Sequence, residues 1–130
     1  MIYVSTLTVP SQTLETQPLE AIIKLSACTI TRVSVEFPLG CYWLVGTRVL
    51  EKDHQLYPTT PDDWLVSDGQ MIPWLDDYPL VDAPYELRIQ AYNTDDYFQH
   101  TLRYYFEVLP LSTRIVVPEV VSQAIGTLGV

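Results

Sequence analysis

Two segments of this chain alternate with a period of two. Tyr85, Leu87, Ile89 and Ala91 are interleaved with Glu86, Arg88 and Gln90, and Leu102, Tyr104, Phe106 and Val108 with Thr101, Arg103, Tyr105 and Glu107. Successive side chains of a β-strand point to opposite faces, so each segment reads as one strand with an apolar face for a core and a polar face for water. The polar run Asn93, Thr94, Asp95 and Asp96 between them has the composition of a turn, which predicts an antiparallel hairpin. The same period recurs over 29–37, with Val33, Val35 and Phe37 opposed to Arg32, Ser34 and Glu36. It recurs less regularly over 19–27, where Ala21, Ile23, Leu25 and Ala27 share a parity and Ile22 breaks the other. Residues 2–9 alternate loosely and stop at Pro10, which predicts an early edge strand. Residues 41–50 carry apolar side chains on both parities (Tyr42, Trp43, Leu44, Val45, Val49, Leu50). That pattern predicts a central strand covered on both sides, with Trp43 in the core.

Between these patterned stretches, residues 51–84 hold Pro58, Pro61, Pro73, Pro79 and Pro84 among Tyr57, Trp64, Trp74 and Tyr78. Aromatic residues at this density point to ordered loops, with short strands expected near 71–74 and 78–81. Ten prolines against five glycines disfavour long helices. Amphipathic strands without helices must bury their apolar faces against another sheet. The expected architecture is therefore all-β, an antiparallel β-sandwich, Ig-like or jelly-roll-like, of seven or eight strands with long loops. Residues 1–110 form that one domain, and 111–130 form a C-terminal arm, or a final strand and tail. This last segment stays apolar beyond any plausible strand, through Ile115, Val116, Val117, Val120, Val121, Ile125, Leu128 and Val130. Leaving such surface in water is unfavourable by about 25 cal/mol per Å². It either completes the sandwich or adds to another protein's sheet edge or groove.

Function is bounded mainly by exclusion. A net charge of −9 repels nucleic acid. The opening MIYVSTLTVP lacks the pattern of a signal peptide, and no stretch reaches the length of a membrane span, so the chain reads as not exported by the general route. Cys28 and Cys41 read as buried free thiols, their spacing being wrong for a zinc site. Acidic residues gather in the loops, where Asp62, Asp63, Asp68, Asp95 and Asp96 are the positions to examine for calcium. They are equally turn formers, and no EF-hand spacing is present, so no metal or other cofactor is assigned. His54 and His100 stand in no nucleophile arrangement, and no pair of acids is singled out for glycoside hydrolysis, so the chain does not read as an enzyme. Tyr57, Trp64 and Trp74 lie in the proline-rich stretch and are the candidates for contact with a partner, either a neighbouring protein or a glycan stacked on a flat ring.

The segments 37–41 (FPLGC), 55–64 (QLYPTTPDDW) and 85–96 (YELRIQAYNTDD) look similar to small β-sandwich proteins that accompany the structural components of tailed bacteriophage particles. The resemblance spans about residues 28–108. It implies a virion accessory protein, a decoration, cement or adaptor subunit that binds copies of itself or other particle proteins and is assembled in the host cytoplasm. No catalytic residue comes with it.

Overall fold

The computed structural model describes residues 1–110. The arm residues Ile115, Val116, Val117, Val120, Val121, Ile125 and Leu128 lie outside the described residues. Nine strands follow in order: β1 (Ile2–Val9), β2 (Leu19–Lys24), β3 (Cys28–Glu36), β4 (Val45–Glu51), β5 (His54–Tyr57), β6 (Leu65–Val66), β7 (Met71–Leu80), β8 (Glu86–Asn93) and β9 (His100–Pro110). One sheet runs β1-β9-β3-β7 and the other β2-β8-β4-β5, with the two-residue β6 beside β5 on β4, and every pairing is antiparallel. With β6 set aside, eight strands in these two orders form the paired Greek keys of a jelly roll.

The period-two faces meet the core as their parity requires. Val9, Val33, Val35, Leu102, Tyr104, Phe106 and Val108 from one sheet, and Ile23, Val45, Val49, Leu87, Ile89 and Ala91 from the other, are buried in one cluster. β3 contains a bulge between Ile30 and Arg32, which moves the inward parity from Cys28 and Ile30 to Val33 and Val35. The two sheets are also joined by a polar contact within the core. The Tyr104 hydroxyl lies 2.6 Å from Thr47 Oγ1, which itself donates to the Gln90 carbonyl.

Three expectations from the sequence are corrected. The segments 85–91 and 102–108 are strands on the expected faces, but they do not form a hairpin: β8 and β9 belong to opposite sheets, and residues 94–99 cross between them. The turn chemistry was legible, but a sandwich can use the same turn to change sheets. The two short strands expected near 71–74 and 78–81 are one strand, β7, ending at Leu80, and Pro73 and Pro79 sit on a sheet edge where a missing N–H is tolerated. The central strand begins only at Val45, and Tyr42 and Trp43 stand exposed before it.

Candidate functional site

The connections of a jelly roll fall at its two ends. Loops 10–18, 37–44, 58–70 and 94–99 share one end, where hydrogen bonds tie them together. Thr94 N donates to the Leu44 carbonyl, Gln12 N to the Asp95 carbonyl and Gly69 N to the Pro38 carbonyl. This end carries a set of exposed aromatic and aliphatic side chains: Leu14, Leu39, Tyr42, Trp43, Tyr97 and Phe98. Trp43 is 60% exposed and Tyr97 83%. Large aromatic rings in contact with water lose about 25 cal/mol per Å² of possible burial, so their collection on one end needs a reason beyond folding.

The first pair is displayed by a turn built around Gly40 and Cys41. Pro38 and Gly40 end the strand pattern, and Gly40 takes φ +101°, a conformation open to glycine. Cys41 is buried and donates its thiol towards the Pro38 and Ser67 carbonyls at 3.2 and 3.1 Å. The next two residues, Tyr42 (φ 46°) and Trp43 (φ 58°), are both left-handed, a conformation that costs an L-residue about 1 kcal/mol or more. What holds them there is Asp68. Its Oδ1 accepts the backbone N–H groups of Gly40 and Tyr42 at 2.9 and 3.1 Å, and Leu44 N closes the turn on the Cys41 carbonyl.

The second pair is displayed the same way. Asp95 Oδ1 accepts the N–H groups of Tyr97 and Phe98 at 2.9 and 3.1 Å, while Oδ2 meets His100 Nε2 at 2.9 Å. Asn93, fully buried, accepts from Asp95 N and donates its amide to the Val9 and Phe98 carbonyls. A hollow of about 670 Å³ between loops 10–18 and 94–99 opens beside them, walled by Leu14, Glu15, Thr94 and Asp96 among others. Each aromatic pair is thus carried on a turn whose backbone is clamped by one carboxylate.

Bonds from backbone N–H groups favour the charged carboxylate, led by the Tyr42 amide for Asp68 and by the Tyr97 amide, then His100, for Asp95. Both aspartates are held below their ordinary value of 3.8. A depressed acid contributes its order above the ordinary value and loses it as pH falls through the lowered one. The acid titrations of the Tyr42 and Phe98 amide resonances are therefore expected to have midpoints below 3.8. NMR titration midpoints at or above 3.8 would contradict the clamps.

The candidates read from the sequence are placed differently. Tyr57 is buried, packs on Trp74 with ring centroids 5.0 Å apart and donates to Asp76 at 2.7 Å. Trp74 is half-buried on the edge strand β7, and its Nε1 is enclosed with no hydrogen-bond partner among the described residues. Trp64 folds onto the outer face of the second sheet, edge-on to Tyr92 at 4.9 Å and under the Arg48 guanidinium at 4.2 Å. Gly46 leaves the space that the Tyr92 ring fills. None of these three joins the exposed set Tyr42, Trp43, Tyr97 and Phe98, since Tyr57 is buried and Trp64 and Trp74 are half-buried.

Of the acids examined for calcium, Asp68 and Asp95 are engaged by turn N–H groups on different loops, and Asp63 accepts from Trp64 N. Among the described residues no three Asp, Glu, His or Cys side chains gather as a metal site. Cys28 and Cys41 are free and buried, and burial raises both thiol pKa values.

A polar hollow of about 440 Å³ beside β4 and β5 includes Arg48 and Arg88. Both guanidinium groups are already engaged, Arg88 by Glu20 and the Lys52 carbonyl and Arg48 by Gln90. Sequence reasoning missed Tyr42, Trp43, Tyr97 and Phe98. For the first two the signal was the Gly40 turn immediately before them, and for the last two it was an aromatic pair inside a polar turn run.

Among the described residues no helix is long and apolar enough to cross a membrane. The chain matches no protein-family model and no curated protein.

Proposed function

We propose that this protein is a non-catalytic assembly subunit that docks its aromatic loop end onto a repeated protein surface, as a decoration, cement or adaptor subunit of a virion does. The observation that carries the reading is the pair of carboxylate-clamped turns that hold Tyr42, Trp43, Tyr97 and Phe98 out into solvent. A backbone already fixed by its clamps loses little conformational entropy on docking, and Trp and Tyr dominate the energetics of protein interfaces. Repetition of the contact over a particle adds avidity, and the apolar residues of 111–130 supply a second contact with the same surface. The resemblance of residues 28–108 to phage accessory proteins supports the same reading.

The test is cosedimentation with particles assembled in the cells that make the chain. The wild type should pellet with them, and a Trp43→Ala/Phe98→Ala variant with an unchanged circular dichroism spectrum should stay in the supernatant. A wild type left in the supernatant refutes the reading. A second reading, a glycan-binding module, is favoured by the flat rings and the hollow at the same loop end, since pyranose faces stack on such rings. It predicts retention on a glycan array that the same double variant abolishes.

A further inference from the structure

The two sheets have edges of different character. β7 carries Pro73, Asp76, Asp77 and Pro79, β2 carries Glu20 and Lys24, and β5 and β6 are four and two residues long. Charges, prolines and short length are the devices by which sheet edges avoid pairing with other chains. β1 has none of them: its sequence, IYVSTLTV, is eight residues without a charge, a proline or a glycine.

The ladder shows which of its groups face outward. Val108 N donates to the Met1 carbonyl at 2.8 Å and Met1 N to the Val108 carbonyl at 3.1 Å, so residues 1 and 108 exchange both bonds. Hydrogen-bonded and non-hydrogen-bonded pairs alternate along an antiparallel ladder, so Tyr3, Ser5, Leu7 and Val9 bond β9. The N–H and C=O groups of Ile2, Val4, Thr6 and Thr8 therefore point to the other side, where no strand pairs β1 among the described residues. The side chains of these same four residues are exposed on the outer face, Ile2 at 59% and Val4 at 56%. A shallow groove of about 320 Å³ continues from Ile2 across Tyr105 to Met71.

We propose that β1 is a docking edge for a second copy of this chain, pairing antiparallel with its own counterpart about a two-fold axis and joining two four-stranded sheets into one of eight. The occupant follows from charge. Two copies of net charge −9 repel wherever acidic surfaces meet, and a long edge free of charge is where two such chains can approach. A two-fold contact is self-complementary, and IYVSTLTV meets itself with β-branched and hydroxyl side chains opposite one another. The pairing edge uses none of the aromatic side chains Tyr42, Trp43, Tyr97 and Phe98, so the proposal stands apart from the function proposed above.

The test is the solution mass of the full chain by light scattering over a concentration series. The wild type should approach twice the chain mass as concentration rises. Thr6→Pro removes one outward N–H while leaving the β9 ladder intact, and Val4→Lys places a charge on the edge. Both should remain monomers at the highest concentration, with unchanged circular dichroism. A wild type that is monomeric throughout, or two folded variants that still dimerise, overturns the proposal. Removal of residues 111–130 leaves every described strand in place and should leave the dimer intact. A fall to monomer in a folded chain so shortened would give the edge to that segment and overturn the pairing of two β1 strands.

Discussion

Replacement of Tyr104 by alanine is expected to lower the stability of the fold by about 3–5 kcal/mol, the range for deleting a buried aromatic ring. Tyr104 is fully buried on β9, in the middle strands of the first sheet, and its ring fills the space between the layers. Its hydroxyl reaches Thr47 of the opposite sheet at 2.6 Å. Thr47 already donates to the Gln90 carbonyl, so the tyrosine is the donor in this contact. Tyr104→Phe keeps the ring and loses only that bond, at about 1 kcal/mol. Urea denaturation of the two variants beside the wild type separates the contributions, because the midpoint falls in proportion to lost stability. A loss below about 1 kcal/mol for Tyr104→Ala would mean that the ring is not the filler between sheets that the burial describes.

Asn93→Ala is expected to cost about 3 kcal/mol and to release the loop that carries Tyr97 and Phe98. Three bonds are lost together at a residue that is itself fully buried: Asn93 donates to the Val9 and Phe98 carbonyls and accepts from Asp95 N. Each is worth about 1 kcal/mol, and more where a buried partner stays unpaired. Its backbone pairs in both directions with Thr13, so the residue ties the end of β1, loop 10–18 and loop 94–99 into one unit. Hydrogen exchange reads the local effect. Amides of Tyr97 and Phe98 should exchange faster in the variant than its global stability accounts for, whereas those of Gly40 and Tyr42, clamped by Asp68, should follow global stability alone. Equal acceleration in both loops would show that Asn93 supports the whole domain and not this loop in particular.

Much of the fold was legible because strand alternation is local. The inward positions Val33, Val35, Leu87, Ile89, Leu102, Tyr104 and Phe106 could be read from consecutive residues, and β1 from its stop at Pro10. The candidate site was not legible. In sequence Tyr42 and Trp43 look like the start of a buried strand, since they precede Leu44 and Val45 and are as apolar as a core. Their exposure depends on Asp68, which lies 28 residues from Gly40 and accepts the N–H groups of Gly40 and Tyr42, bracing the turn in which Tyr42 and Trp43 are left-handed. Tyr57 and Trp74 look like loop aromatics because prolines surround them. They meet because β5 and β7, edge strands of opposite sheets, come together.

Side-chain period and proline placement along consecutive residues were enough to read an all-β sandwich and the buried faces of β8, β9 and the second half of β3, but not that of β4, whose apolar residues fall on both parities. Which strands pair, the placement of β8 and β9 in opposite sheets to complete a jelly roll, and which aromatic residues reach solvent are visible in the folded chain alone. Those outcomes are set by hydrogen bonds and burial between residues far apart in the chain, and local alternation is the same whichever partner a strand takes.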